Sequence, residues 1–268
     1  LKMIRDAADG LERDLFRREA AAVARLQHPH IVQIHQFGEH NGQPFFVMEF
    51  VEGGSLQQKL GAQPLPPREA AGLVETVAQA VQHAHERDIV HRDLKPDNVL
   101  LAPASGRDSE SPSRPEPGAL WVPKITDFGL AKHLGGQQSL IGTGVVVGTP
   151  PYMAPEHLDA FNPSVDTPAS AVDQRSDIYG LGVVLFEMLT GRLPFPLPTK
   201  LGATSESLRK LAAERRAEVP TPGAIRPVPE SLDRLVCRCL QPEPQARYQK
   251  ADDLARALPA LTNLAAPG

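Results

Sequence analysis

The run His91-Arg92-Asp93-Leu94-Lys95-Pro96-Asp97-Asn98-Val99-Leu100-Leu101 places an acid, a cation and an amide within six positions and follows them with three aliphatic residues. The aliphatic end reads as a short strand. Pro96 has no N–H to donate and clashes with the preceding turn, which excludes a helix through the polar part. A loop braced by a following strand is a rigid place to hold reacting groups. Asp93 could accept a hydroxyl proton, Lys95 could neutralise a phosphoryl oxygen and Asn98 could hold a metal ion. A polar turn before a buried strand is the plain alternative, and it would suffice for the His-Arg-Asp triplet alone. It does not account for three roles falling at fixed offsets within one string.

Working outward, the whole chain of 268 residues is long enough for one large domain or two lobes with a real core. A hydrophobic content of 41% and a charged content of 22% are ordinary for a globular protein. The net charge of −4 argues against a broad electrostatic grip on nucleic acid. Cys237 and Cys239 are one residue apart, a spacing that suits neither a structural zinc site nor an easy disulfide and points to a reducing, cytoplasmic setting. No apolar run reaches membrane-spanning length. The most apolar one, Ile178 to Leu189, is broken by Glu187 and two glycines and reads as a buried helix. No signal peptide is visible, and a first residue of Leu1 rather than Met reads as a fragment.

Upstream, Leu11 to Leu26 has helical spacing, with Leu15, Glu19 and Val23 stacked on one face. Ile31 to Phe37 and Pro44 to Val51 read as strands joined at Asn41-Gly42, residues that tolerate the positive φ of a tight turn. Glycines in Glu52-Gly53-Gly54-Ser55 end the second strand. Pro66-Pro67 opens a helix whose apolar face is Ala70, Val74, Val77, Val81 and Ala84. His83 and His85, two apart, face different ways on that helix, which argues against a shared metal.

Downstream, residues 102–119 are rich in Pro, Ser, Gly and charge and are expected to form a mobile surface insert. Trp121 to Thr126 then resumes a strand, pairing with Val99 to Leu101. Asp127-Phe128-Gly129 follows, 34 residues after Asp93 by position (127 − 93). An acid at a strand end beside a glycine suits a carboxylate aimed at Mg²⁺, which takes a few hard oxygens besides those of a phosphate. Gly142-x-Gly144-x-x-x-Gly148 lacks the strand before it and the helix after it that a nucleotide-binding loop needs. A second loop-like insert covers about 159–174. Ser176 is expected to cap the central buried helix, which Gly191 ends. The remainder, through Leu261, reads as helices separated by proline loops, with Arg209-Lys210 and Arg215-Arg216 on a solvated helix face.

His91 to Leu101, Asp127-Phe128-Gly129 and Gly148-Thr149-Pro150-Pro151-Tyr152-Met153-Ala154-Pro155-Glu156 together resemble the catalytic loop, metal-binding motif and activation-segment end of protein kinases. The Asp-x-Lys spacing of Asp93 and Lys95 and the Gly-Thr-Pro-Pro-Tyr string are similar to those of bacterial eukaryote-like serine/threonine kinases. The resemblance covers nearly the whole chain and implies an α+β, two-lobed fold with a small N-lobe (1–51) and a mainly helical C-lobe (52–262). It implies transfer of the ATP γ-phosphoryl group to Ser or Thr hydroxyls of proteins. Asp93 and Lys95 would be catalytic, and Asn98 and Asp127 would hold Mg²⁺, with Mn²⁺ as a substitute. Lys2, fixed by Glu19, would hold the ATP phosphates. Met48, Glu49 and Val51 would form the hinge that binds adenine, with Leu100 also at the nucleotide. His91, Phe128 and Gly129 would be structural, as would Asp177, bracing the catalytic loop, and Glu156, paired with buried Arg247. Thr149 would bond Asp93 and Lys95. Thr143, with Ser139 as second candidate, would be a regulatory phosphosite read by Arg92, and self-association would serve autophosphorylation.

The departure is at the front. Only Leu1 precedes Lys2, so the glycine-rich loop and two strands over the nucleotide are absent. The expectation is an active parent kinase, and a chain that by itself binds ATP weakly and is unstable in its first fifty or so residues. Micromolar ATP binding by this chain would contradict the latter. Two other classes fit less well. A pseudokinase has no need of Lys2, Asp93, Asn98 and Asp127 together. Small-molecule kinases of related fold usually lack the Ala154-Pro155-Glu156 segment.

Overall fold

The computed structural model describes residues 2–3, 20–40, 43–61, 63–104, 121–128, 150–162, 165, 172–195 and 205–262, with the backbone alone for 2–3 and 260–262. Glu19, Asn41-Gly42, Gly129, Ser139, Thr143, Thr149 and most of both inserts lie outside them, as does the side chain of Lys2.

A small antiparallel sheet holds β1 (Lys2–Met3), β2 (Ile34–His40) and β3 (Gln43–Met48) in the order β1-β3-β2, with Lys2 opposite Phe46. His40 lies opposite Gln43, so the hairpin connection is two residues long. Phe46 alternates inward with period two and packs on Ala20, in a helical turn at residues 20–24. Neither strand has the predicted bounds: β3 ends at Met48 rather than Val51, and β2 keeps seven residues but is shifted three positions onward. β2 starts at Ile34 rather than Ile31 because the preceding backbone is committed elsewhere: Ile125 N–H donates to His30 O (2.9 Å) and Val32 N–H to Ile125 O (2.8 Å). That exchange joins the small lobe to a second sheet, β4 (Val99–Pro103) paired with β5 (Trp121–Ile125). Ala102 and Pro103, expected in the first insert, belong to β4 and face Val122 and Trp121. Likewise Pro96–Asn98 closes one 3-10 turn, because proline is tolerated at the first position of a turn even where it would break a longer helix.

The other lobe is helical. α1 (Leu56–Leu60) starts in a capping box of Ser55 and Gln58. α2 (Pro67–His85) buries the face Ala70, Val74, Val77, Val81 and Ala84. α3 (Pro155–Ala160) follows, and then the central α4 (Gln174–Thr190), α5 (Ser205–Ala217), α6 (Glu230–Cys239) and α7 (Ala251–Thr262). α4 is apolar all round and buried along most of its length, as a helix enclosed by others must be. Its cap is Asp173, which accepts from Arg175 N–H (2.8 Å), rather than the expected Ser176, whose hydroxyl donates to Glu156 (2.8 Å). Gly191 ends it with φ 73°. α2 packs on α4 and α7, α6 on α4, and α3 on α5. One cluster of buried side chains runs from Val23 and Leu26 through α2, β4 and β5 to Phe186, Leu235 and Leu254. Each fully buried large side chain in it contributes about 1.5–3 kcal/mol relative to exposure.

Two expectations for this lobe are corrected. Asp159 is inside α3 and Gln174 inside α4, so the second insert is shorter than 159–174. Arg215 is not on a solvated face: it is 1% exposed, whereas its neighbour Arg216 reaches Asp159 at 2.5 Å.

Candidate active site

The β4–β5 ladder sets the site. Val99 is opposite Ile125, and one step further Thr126 N–H donates to Asn98 O (3.0 Å). Asp127, the next residue, therefore leaves β5 beside the turn that carries Asn98. It does so at φ 60°, a conformation aspartate tolerates better than most residues. The Asn98 amide nitrogen donates to Asp93 O (2.8 Å) and to Asp93 Oδ2 (3.2 Å). With its nitrogen committed, Asn98 presents its amide oxygen as an acceptor. Lys95 Nζ lies 3.3 Å from the same Asp93 Oδ2, both side chains being mostly buried. The structure thus brings together Asp93, Lys95 and Asn98 by side-chain contact, and Asp127 by backbone register.

The loop is held from below by Asp177 on α4. Its carboxylate accepts from His91 N–H and Arg92 N–H (both 2.8 Å) and from the ring of His85 (2.8 Å). Arg92 has φ 64°, a strain worth about 1–3 kcal/mol for a non-glycine residue, and the charge-assisted bond from its own N–H helps offset it. Asp177 is wholly buried, and burial alone would raise its pKa. The His85 ring, the nearby His91 and the His91 N–H outweigh that and hold it below the ordinary aspartate range. His91 has a defined tautomer: Nδ1 accepts from Asp93 N–H (3.2 Å), so Nε2 carries the proton and donates to Thr126 O (3.0 Å). Its ring lies against Phe128, tilted by 43°, with centroids 4.6 Å apart. α4 approaches the loop closely at Gly180, where a Cβ would stand 3.2 Å from Leu94 Cβ and 3.8 Å from Tyr152 O.

Around the lobe junction, Met48 and Val51 are half-buried and Phe50 is 85% exposed. The Glu49 carboxylate binds Lys124 on β5 at 2.8 Å and accepts from Gln33 N–H (3.2 Å). Burial pushes its pKa up, but these bonds outweigh that and leave it below the usual glutamate range. Lys124 is opposite Leu100, which also bridges to Ser55. Glu49 therefore reaches the β4–β5 hairpin at the rung that carries Leu100. Lys2 enters only through its backbone, beside Phe46, and its proposed partner Glu19 is outside the described residues.

Residues 150–156 are pinned at three points. Glu156 and Arg247 form a two-pronged pair (2.7 and 2.8 Å), with Ser176 also on Glu156. Arg247 further donates to the carbonyls of Gln241, Pro242 and Arg175. The Tyr152 hydroxyl donates to Glu187 (2.7 Å). Burial, then that bond, pushes the tyrosine up, and burial raises Glu187 too, with Asp97 adding to it. Arg215 Nη2 donates to Pro150 O (2.7 Å) and Pro151 O (3.2 Å).

Sequence reading missed His85, Lys124, Glu187 and Arg215. A signal existed for His85, which extends the Val77 and Val81 stripe by one more step of four and so belongs to the buried face of α2. The other three meet partners far away in the chain and carry no local signature.

A polar loop leading into a two-strand hairpin, joined to a small sheet and a helical lobe, is the architecture of protein kinases. The profile of the protein kinase domain matches residues 1–257, and the chain belongs to that family. It is 36% identical over 243 residues to the serine/threonine-protein kinase PrkC of Bacillus subtilis, covering 89% of this chain and 32% of that protein. It is 35% identical over 263 residues to the serine/threonine-protein kinase PknF of Mycobacterium tuberculosis, covering 96% of this chain and 49% of PknF. The chain thus spans about half or less of these relatives. Among solved structures, the Mycobacterium tuberculosis PknI kinase domain superposes with a TM-score of 0.66 at 27% identity, covering 97% of this chain and 84% of that one. Rad53 1-466 in complex with AMP-PNP superposes with a TM-score of 0.64 at 27% identity, covering 90% and 53%.

Proposed function

We propose that the protein carrying this chain is a serine/threonine protein kinase that transfers the ATP γ-phosphoryl group to protein hydroxyls. The observation that carries this is the Asn98 amide bonded to both the backbone and the carboxylate of Asp93, with Lys95 on the same carboxylate. That arrangement aligns one base, one cation and one neutral metal ligand, which a merely structural turn would not need. Kinase names among the relatives support the same reading.

In this reading Asp93 orients the acceptor hydroxyl and takes its proton as the oxygen bonds to the γ-phosphorus. The bond to the β–γ bridging oxygen breaks, and ADP leaves. Lys95 faces the charge spread over the transferring oxygens. The donor set fits Mg²⁺: Asp127 offers a carboxylate and Asn98 an amide oxygen, both hard, and Mn²⁺ accepts the same set. Mg²⁺ bound there would neutralise phosphate charge. Lys2 with Glu19 would hold the α- and β-phosphates, while Met48, Glu49, Val51 and Leu100 take the adenine. Thr149 would bond Asp93 and Lys95, and phosphorylated Thr143, made by a second copy of the protein, would pair with Arg92. The lobes would divide at 51–52, in the cytoplasm. No described helix is long and apolar enough to cross a membrane.

The test is transfer of labelled phosphate from ATP to a generic serine-containing protein by the full-length protein and its Asp93→Asn variant. The variant should lose about 10²–10⁴-fold in kcat. Equal rates for the two would overturn the reading.

A further inference from the structure

Arg215 is a cation kept where solvent cannot reach it. Nη1 donates to Leu211 O (3.0 Å), Nη2 to the carbonyls of Pro150 and Pro151, and the guanidinium lies over the Phe195 ring at 5.4 Å. The Tyr179 hydroxyl adjoins it, and its Nε has no hydrogen-bond partner among the described residues. A leucine or methionine would fill much of that space without desolvating a charge. What an aliphatic side chain could not do is hold two carbonyls. Pro150 and Pro151 have no N–H, so this part of the chain cannot be tied down by reciprocal backbone bonds and can be anchored only through its carbonyl oxygens. A guanidinium, with donors in a fixed plane, is suited to that task.

The segment so held adjoins the catalytic loop. At Gly180 the same point on α4 is close to both Leu94 and Tyr152 O, and the next residue back from Pro150 is Thr149. Tyr152 also feels the charge of Asp97.

We propose that Arg215 is a positioning residue for the phosphoryl acceptor: by clamping Pro150 and Pro151 from α5, it fixes the wall against which a substrate hydroxyl is presented to Asp93. This rests on the kinase reading above. Arg215 touches neither nucleotide nor reacting atoms in this scheme, so its loss should separate peptide phosphorylation from ATP hydrolysis by water, which needs no acceptor wall.

Arg215→Met keeps an apolar stem and removes the donors, whereas Arg215→Lys keeps the charge and loses the planar fork. In the full-length protein, the Met variant should lower kcat/KM for an acceptor peptide about 10- to 100-fold, with KM for ATP and the rate of ATP hydrolysis unchanged. The Lys variant should recover part of the loss. Unchanged peptide phosphorylation, or an equal fall in phosphorylation and hydrolysis, would overturn the proposal. If the Met variant does not fold, the same split is required of the Lys variant. If the unaltered protein transfers no phosphate to any acceptor, the kinase reading fails. The clamp is then judged by amide exchange: Met153 N–H, bonded to Pro150 O (3.2 Å), should exchange faster in the Lys variant, and equal exchange refutes the clamp.

Discussion

Asp177 shows how much one buried side chain can organise. Its two oxygens satisfy two backbone N–H groups of the loop before Asp93 and one imidazole, and one of those N–H groups belongs to the strained Arg92. Asp177→Ala would leave three donors without an acceptor, two of them buried, so we expect a loss of roughly 3–5 kcal/mol in urea denaturation. That is a large part of the 5–15 kcal/mol typical of a whole domain. The pH dependence has a definite sign. The folded carboxyl titrates below the ordinary aspartate value of 3.8, so its stabilisation is complete above that value and disappears as pH falls through the lower, folded one. Stability of the unaltered chain should therefore fall below about pH 4, and that acid limb should be shallower in Asp177→Ala. An acid limb of equal steepness in both proteins would assign acid sensitivity to other carboxylates.

Among the helices, the same substitution should have opposite signs at two glycines. Gly72 is exposed on α2 and a Cβ there meets nothing within 4 Å, so Gly72→Ala should stabilise the protein by about 0.5–1 kcal/mol through helix propensity alone. Gly182 lies where α4 meets α6, and a Cβ there would fall 2.6 Å from Cys239 Cβ, an atom fixed to its backbone. The same gain in propensity is then outweighed by about 1–3 kcal/mol of overpacking, so Gly182→Ala should lower the denaturation midpoint. A rise at both positions would mean that α4 and α6 pack less closely than described. The faces of α2 and the C-terminal end of α4 were readable in advance because periodicity and Gly191 act locally. The cap was not: Asp173 and Ser176 are both good cap residues, and Ser176 is drawn away by Glu156 across the fold.

At the scale of the whole molecule, the two lobes are tied by backbone bonds between residues 30–32 and Ile125 and by the Glu49–Lys124 pair. What could be read from the sequence is what short offsets fix: Asp93, Lys95 and Asn98 on one loop, and Asp127 at the end of the strand that pairs with it. What could not be read depends on distant backbone. Arg215 binds proline carbonyls 64 and 65 positions away, and a carbonyl leaves no mark in the sequence of which side chain will find it. Lys124 and Glu49, 75 apart, are ordinary surface residue types until the strands bring them together. The convergence of Asp127 and Asn98 on one cation is the claim on which the function depends. Calorimetric titration of the full-length protein with ATP, with and without Mg²⁺, tests it most directly. Binding should strengthen at least about tenfold with Mg²⁺, this gain should vanish in Asp127→Asn, and Asp93→Asn should retain it. A gain with Mg²⁺ that survives Asp127→Asn, or ATP binding indifferent to the metal, would contradict it.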